Sequence, residues 1–169
     1  YELGMKAQWP GFGFNLALFD QTIKGFQSFL FTGTGFQLNN AGQQSVRGFE
    51  FDATVRPSDS LVFTFAATHL DPNFDSFTAS PVGDLTGFRP GGIPSWSLAT
   101  SATHTLEFGS SGNKLISRID YAHESNVAIN NGLPTFNGPV NARRDPRIFQ
   151  RETNLVNASM IFQMENGLE

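Results

Sequence analysis

The sequence predicts an all-β chain, an antiparallel up-and-down meander of about seven strands that forms a segment of a larger transmembrane β-barrel. Three observations carry this. From Gln44 to Phe77, bulky apolar residues alternate with small, polar or acidic ones, broken once by Pro57-Ser58-Asp59, which is the pattern of a hairpin. Connections along the chain alternate short and long, so in a meander every long one lies at the same end, as in outer-membrane barrels. The 169 residues include 18 Phe and 17 Gly, and only 15% are charged. No run approaches the roughly 20 apolar residues of a transmembrane helix. Alternation hides hydrophobicity from a sliding average, so a mean hydropathy of -0.21 is compatible with membrane strands.

The elements follow in order. Tyr1, Leu3, Met5, Ala7 and Trp9 alternate with Glu2, Gly4, Lys6 and Gln8, and Pro10-Gly11-Phe12-Gly13 supplies turn chemistry. A second strand sets Phe14, Leu16 and Leu18 against Asn15, Ala17, Phe19 and Gln21, with the assignment of faces lost near Asp20. Residues 25–44, rich in Gly, Thr, Asn and Gln, are long for a hairpin connection. In the central hairpin Phe49, Phe51, Ala53 and Val55 share a face with Leu61, Phe63, Phe65 and Ala67, and the opposite face carries Glu50, Asp52, Thr54, Val62, Thr64 and Ala66.

A second long connection, Asp71 to Ser95, holds several Pro and Gly. Trp96, Leu98, Thr100, Ala102, His104 and Leu106 then form one face of a strand, and residues 108–113 make a tight turn. In the next strand Ser117, Ile119, Tyr121 and His123 oppose Arg118, Asp120, Ala122 and Glu124. A third long loop runs from Asn126 to Arg151. The last strand sets Val156, Ala158, Met160, Phe162 and Met164 against Leu155, Asn157, Ser159, Ile161 and Gln163, and ends at Glu165-Asn166-Gly167. The chain opens without Met on a residue already in strand pattern, so a truncated N-terminus is expected rather than a start lacking a signal peptide.

Composition narrows the function. A net charge of -4 argues against nucleic acid as partner, and the absence of Cys removes disulfides and thiolate metal sites. No GxSxG, HExxH or P-loop occurs and the acidic residues are scattered, so no enzyme is expected. No cofactor is expected either. Asp71-Pro72-Asn73-Phe74-Asp75 has the spacing that opens a calcium loop, but the following Gly and the closing Glu are missing, so turn chemistry is preferred. The three His residues stand far apart on apolar faces, which suits an interfacial role better than a metal cluster.

The strands NLALFDQTIKGFQ and SVRGFEFDATVRPSDSLVFTFAATHLDPNFDSF, the approach GGIPSWSLATSATHTLEF, SRIDYAHES and the late strand TNLVNASMIFQMENG occur in this order over nearly the whole chain. That order resembles the C-terminal β-barrel of TonB-dependent receptors, in which about 22 strands close around a plug. The resemblance implies that residues 1–169 are a partial barrel domain, without plug, signal peptide, TonB box or closing strands. The family usually places an aromatic near the positions of Asp20, His69, His104 and His123, in the interfacial girdle.

The resemblance further implies an outer-membrane receptor of a Gram-negative bacterium for TonB-dependent uptake of a scarce ligand. A ferric siderophore is the expected class, with vitamin B12 and oligosaccharides as alternatives. Its partners would be membrane lipid, lipopolysaccharide, and TonB acting through the plug. A passive porin and a soluble β-sandwich binding module share the strand pattern and stay open as alternatives.

Candidate ligand contacts lie on the long connections. Arg143, Arg144 and Arg147 concentrate positive charge in an acidic chain and suit an anionic ferric chelate, though lipopolysaccharide phosphates or pairing with Asp145 and Glu152 explain them equally well. Phe26, Phe29, Phe31 and Phe36, with Gly33 and Gly35, form either an aromatic platform or, preferably, a hairpin extended beyond the membrane with the Phe residues packed against neighbouring loops, and Arg89 lies on the second long connection. Glu2, Lys6, Glu50, Asp52, Arg118, Asp120 and Glu124 are expected to face the lumen.

Overall fold

A computed structural model describes residues 1–31, 34–80, 83–109, 112–128 and 149–164. Alternation of side chains along extended backbone produces β1 (Glu2–Trp9), β2 (Phe12–Lys24), β3 (Gln27–Phe31), β4 (Phe36–Asn40), β5 (Gln43–Ser58) and β6 (Leu61–Ser76), followed by β7 (Trp96–Phe108), β8 (Asn113–Glu124), β9 (Val127–Ala128), β10 (Phe149–Gln150) and β11 (Thr153–Gln163). One antiparallel sheet of seven strands runs β1-β2-β5-β6-β7-β8-β11, so neighbours in the meander are neighbours in space. The short turns all fall at one end. The Pro10-Gly11 turn depends on its glycine: Gly11 has φ +75°, and a Cβ there would stand 2.8 Å from the Arg56 carbonyl oxygen.

At the other end the connections carry structure of their own. Pairs β3–β4 and β9–β10 sit inside the first and third, as separate two-stranded ladders. Two expectations change. Phe12 and Gly13 belong to β2 rather than to the turn, because Phe12 faces both Trp9 and Val55 in the ladders. Residues 71–76 belong to β6 rather than to a loop, because β5 extends as far as Gln43 and keeps pairing with them. Pro72 is tolerated this close to the strand end, beyond β7, which begins at Trp96. The expected turn at Glu165-Asn166-Gly167 lies outside the described residues.

Register joins the strands' separate faces into two continuous surfaces, since directly paired residues point the same way. Met5 pairs with Leu16, Leu16 with Phe51, Phe51 with Ala67, Ala67 with Leu98, Leu98 with His123, and so on across the sheet. Each apolar face named from periodicity alone falls on this one side. On the same side Trp9, Phe12, Phe14, Phe51 and Phe65 form a chain of rings with centroids 5.7–6.1 Å apart at successive steps. Near the long-connection end, His69 lies 4.4 Å from Trp96 and 5.8 Å from Phe49, ring to ring. Just beyond, Arg47 bonds Asp20 at 2.7 Å, so the apolar band ends in an ion pair.

No second layer covers the apolar side among the described residues. Leu3 is 71% exposed, Val156 69% and Met160 72%, and among the described residues the buried hydrophobic ones include Ala41, Ala53, Ala67, Phe74, Phe77 and Leu85. A β-sandwich buries the inner faces of two sheets against each other; among the described residues no sheet faces the seven-stranded one in this way. A contiguous apolar face of this extent is foreign to a soluble monomer surface.

Candidate functional site

On the side opposite the apolar band, register assembles a polar surface. Lys6 pairs with Asn15 and Asn15 with Asp52, and the Asn15 amide donates to the Asp52 carboxylate at 2.7 Å. Asp52 pairs with Ala66, Ala66 with Ala99 and Ala99 with Ala122, which lays a floor of three methyl groups across β6, β7 and β8. One row towards the short turns, Thr64 and Ser101 share a hydrogen bond of 2.7 Å, and Asp120 stands between Ser101 and Asn157. Arg118 donates from Nε to both Asp120 oxygens at 2.9 Å and reaches Thr103 Oγ1 at 3.4 Å.

Small side chains in the middle and larger polar ones around them leave an open depression of about 350 Å³, bordered by Asp52, Arg118, Asp120 and Asn157. Glu50 and Glu124 lie in the next row towards the long connections, facing Thr68 and Ser97. All seven residues expected to face a lumen, Glu2, Lys6, Glu50, Asp52, Arg118, Asp120 and Glu124, stand on this side of the sheet.

Glu2 is level with Phe19, whose ring covers Gly48 on β5. A Cβ on Gly48 would come within 2.2 Å of the His69 carbonyl oxygen and 2.9 Å of Phe19 Cζ, so the ring lies where only glycine leaves room. Periodicity does not disclose this pair. Its only sequence signal is a glycine in mid-strand.

The long-connection end holds the remaining candidates. Arg89 is committed to the backbone: Nη2 donates to the Leu70 carbonyl at 2.7 Å and Nη1 lies 3.7 Å from Asp71 Oδ1. This staples the β6–β7 connection to the top of β6. Phe29 and Phe36 are 64% and 73% exposed, and Phe31 pairs with Phe36 in the β3–β4 ladder. Arg143, Arg144 and Arg147 lie outside the described residues.

The segment weighed as a calcium loop is extended strand. The Asp75 carboxylate accepts from Ser45 Oγ at 2.6 Å, Gln43 Nε2 at 2.9 Å and Asn73 Nδ2 at 3.3 Å. The Ser45 hydroxyl first, then the Gln43 amide, hold the Asp75 carboxyl below its ordinary value. Among the described residues no three His, Asp or Glu side chains converge as metal ligands. His69 Nδ1 instead bonds the Ser95 carbonyl oxygen at 2.9 Å, and His123 Nδ1 and the Tyr121 hydroxyl meet Asn154 Oδ1 at 2.9 and 2.7 Å.

A cluster that alternation did not single out lies beneath the β3–β4 hairpin. Phe74 and Phe77, 5.1 Å apart ring to ring, are buried with Ala41 and Leu85, and Phe26 and Phe88 pack against them. Phe74 continues the parity of Leu70 and Pro72 on β6, and that continuation was its one signal in the sequence.

Comparison with known proteins agrees with this architecture. A family model described as TonB dependent receptor-like, beta-barrel, matches residues 1–160. No curated protein sequence matches the chain. Among solved structures, the ferric yersiniabactin uptake receptor FyuA from Yersinia pestis superposes with a TM-score of 0.70 at 15% identity, over 98% of this chain and 22% of that one. BauA, the ferric preacinetobactin receptor from Acinetobacter baumannii, gives a TM-score of 0.71 at 16% identity, over 97% of this chain and 22% of that one. The chain thus spans about a fifth of the length of either receptor, and at such identities the likeness is one of fold. With the family match running through residues 1–160 of a single two-faced meander, the chain belongs to the TonB dependent receptor-like β-barrel family.

Proposed function

We propose that these strands are part of the barrel of an outer-membrane receptor that takes up a scarce ligand by TonB-dependent transport, and that the ligand is a ferric siderophore. The observation carrying this reading is the continuous apolar face, unbroken by register from β1 to β11, in a chain of this family. In a bilayer that face meets hydrocarbon, and the polar face with its depression lines the lumen. The long connections then stand outside the cell. The two solved receptors of the same fold are described as receptors for ferric yersiniabactin and ferric preacinetobactin, which favours a ferric chelate as the ligand class. Residues on the lumen side act by contacting the domain that fills the barrel, and the protein serves as a transport receptor rather than an enzyme. In the cell it would sit in the outer membrane of a Gram-negative bacterium, against lipopolysaccharide on the outside and TonB on the inside.

Ligand capture is assigned to the third long connection through Arg143, Arg144 and Arg147, which suit an anionic chelate. Replacing all three by Gln in the full-length receptor should weaken binding of an anionic ferric chelate, with a smaller loss as salt rises, because exposed charges are screened over about 10 Å at 0.1 M. Barrel heat-stability should hardly change. Undiminished affinity at low salt in a folded triple variant would reject the site and leave lipopolysaccharide as the better partner for these cations.

A further inference from the structure

The first and second long connections differ in sequence and are separated by the whole β5–β6 hairpin, yet their described parts share one small core. The β3–β4 hairpin does not simply stand on top of β2 and β5. Its register continues theirs, with Lys24 facing Gln43 and Gln27 facing Asn40, but the two residues between on each strand are irregular. Gly25 and Gly42 both have positive φ, +67° and +49°, and the junction keeps one bond from each of its two rungs: Gly25 N–H to the Gly42 carbonyl and Ala41 N–H to the Phe26 carbonyl, each 2.6 Å. Two facing glycines in left-handed conformation turn the ladder at one place. Phe26 and Ala41 are thereby laid onto Phe74, with the Phe26 and Phe74 rings 6.3 Å apart.

Residues 83–95 reach the same core from the other side. Leu85 is 2% exposed within it, and Leu85 N–H donates to the Phe77 carbonyl at 3.0 Å. Phe74 N–H donates to the Phe88 carbonyl at 2.9 Å and Gly87 N–H to the Phe74 carbonyl at 2.7 Å, so this segment pairs along the part of β6 that β7 does not reach. Arg89 closes the far end on Leu70. Facing away from the core, Phe29, Phe36 and Leu38 remain exposed on the hairpin.

One buried group at the junction stays unsatisfied. Gln44, the second residue of β5 and the partner of Phe74, is 7% exposed, and its Oε1 has no hydrogen-bond partner among the described residues. A buried carbonyl oxygen without a donor disfavours the arrangement that buries it. We infer that the β3–β4 hairpin and residues 83–95 are coupled through this shared core: the hairpin hinges about the Gly25–Gly42 pair, held down by the Phe26–Phe74 contact and biased towards opening by Gln44, and residues 83–95 loosen from β6 when it lifts. Opening lets water reach the Gln44 amide and carries the exposed Phe29–Phe36 surface with it. Two connections that look independent in sequence then move together. This rests on the barrel reading only for the direction of the swing, away from the membrane.

Hydrogen exchange of the full-length receptor in detergent, read on peptides from 27–40 and 83–95, tests the latch. Phe26→Ala should speed exchange in both segments, on the order of tenfold or more, since the loss of a ring from so small a core releases the whole local unit. Central amides of β5 and β7 should be unchanged. Gln44→Leu, which keeps the volume and removes the orphan oxygen, should slow exchange in both segments. Acceleration of 27–40 alone by Phe26→Ala would overturn the inference, and so would faster exchange in Gln44→Leu. A spin-label pair at Gln37 and Asp84 gives a second readout. The distance distribution should be narrower than that between Gln37 and Asp59 at the short-turn end, and the reverse order would show two independent loops. Neither readout involves a siderophore, so failure here leaves the uptake assignment untouched.

Discussion

At the residue scale, the two faces of β5 and β6 make opposite demands on a charge. Phe51 and Phe63 belong to the continuous apolar surface, while Asp52 and Thr64 lie beside the polar depression on the other side. If the apolar surface faces hydrocarbon, Phe51→Arg and Phe63→Arg in the full-length barrel should each cost about 2 to 4 kcal/mol near the midplane. Asp52→Arg and Thr64→Arg should cost clearly less, because water and polar groups remain available to the guanidinium. Folding titrations of the four variants into lipid vesicles provide the comparison. Equal penalties on the two faces would defeat the assignment of lipid and lumen. Gly48 is a different kind of residue: nothing in its chemistry matters except the space it leaves for Phe19 and the neighbouring strand.

At the scale of elements, the far ends of β5 and β6 hold together through side chains as much as through the ladder. Asp75 collects donors from Gln43, Ser45 and Asn73, which lowers its pKa relative to the ordinary 3.8. A carboxyl whose folded pKa is depressed adds stability above its unfolded pKa, and the contribution is lost as pH falls through the folded value. The window therefore lies below about pH 4, and because the site is open to solvent the effect is local and modest. Proteolysis of the receptor with pepsin, followed across pH 2 to 5, should show the β5–β6 end opening as Asp75 protonates. Asp75→Asn should already be more susceptible at pH 5 and should flatten the pH dependence of that cleavage. A variant with the wild-type pH profile would show that Asp75 does not hold this end.

For the molecule as a whole, the described residues form a seven-stranded sheet with an uncovered apolar face and an open edge on each outer strand. Among the described residues β1 and β11 are bonded on one side only, to β2 and β8, and an open edge is a template for pairing with other chains. The isolated 169 residues should aggregate in buffer and require detergent to stay dispersed. Analytical ultracentrifugation with and without detergent measures this. A detergent-free monomer that unfolds cooperatively would contradict both the membrane reading and the need for further strands on either edge.

The sequence by itself determined what depends on local spacing: period-two alternation assigned a face to nearly every residue of the sheet, and turn chemistry located the three short connections. Because side chains alternate along a regular strand, and the ladder of β5 and β6 is irregular only near Gln43 and between Val55 and Ser58, those assignments needed no knowledge of neighbours. They failed where a neighbour decides. β6 runs on to Ser76 because β5 is there to pair with it, and β2 begins at Phe12 because both β1 and β5 flank it. Residues 25–44 hold the β3–β4 hairpin with Phe29 and Phe36 largely exposed on it, but its bend at Gly25 and Gly42 and the core beneath it join residues up to about 60 positions apart. No local pattern encodes such contacts. The polar depression is likewise a property of register: Ala66, Ala99 and Ala122 belong to three separate strands until hydrogen bonding sets them side by side, next to Asp52. Only the tertiary structure could decide that, because register is a relation between strands and periodicity is a property of one.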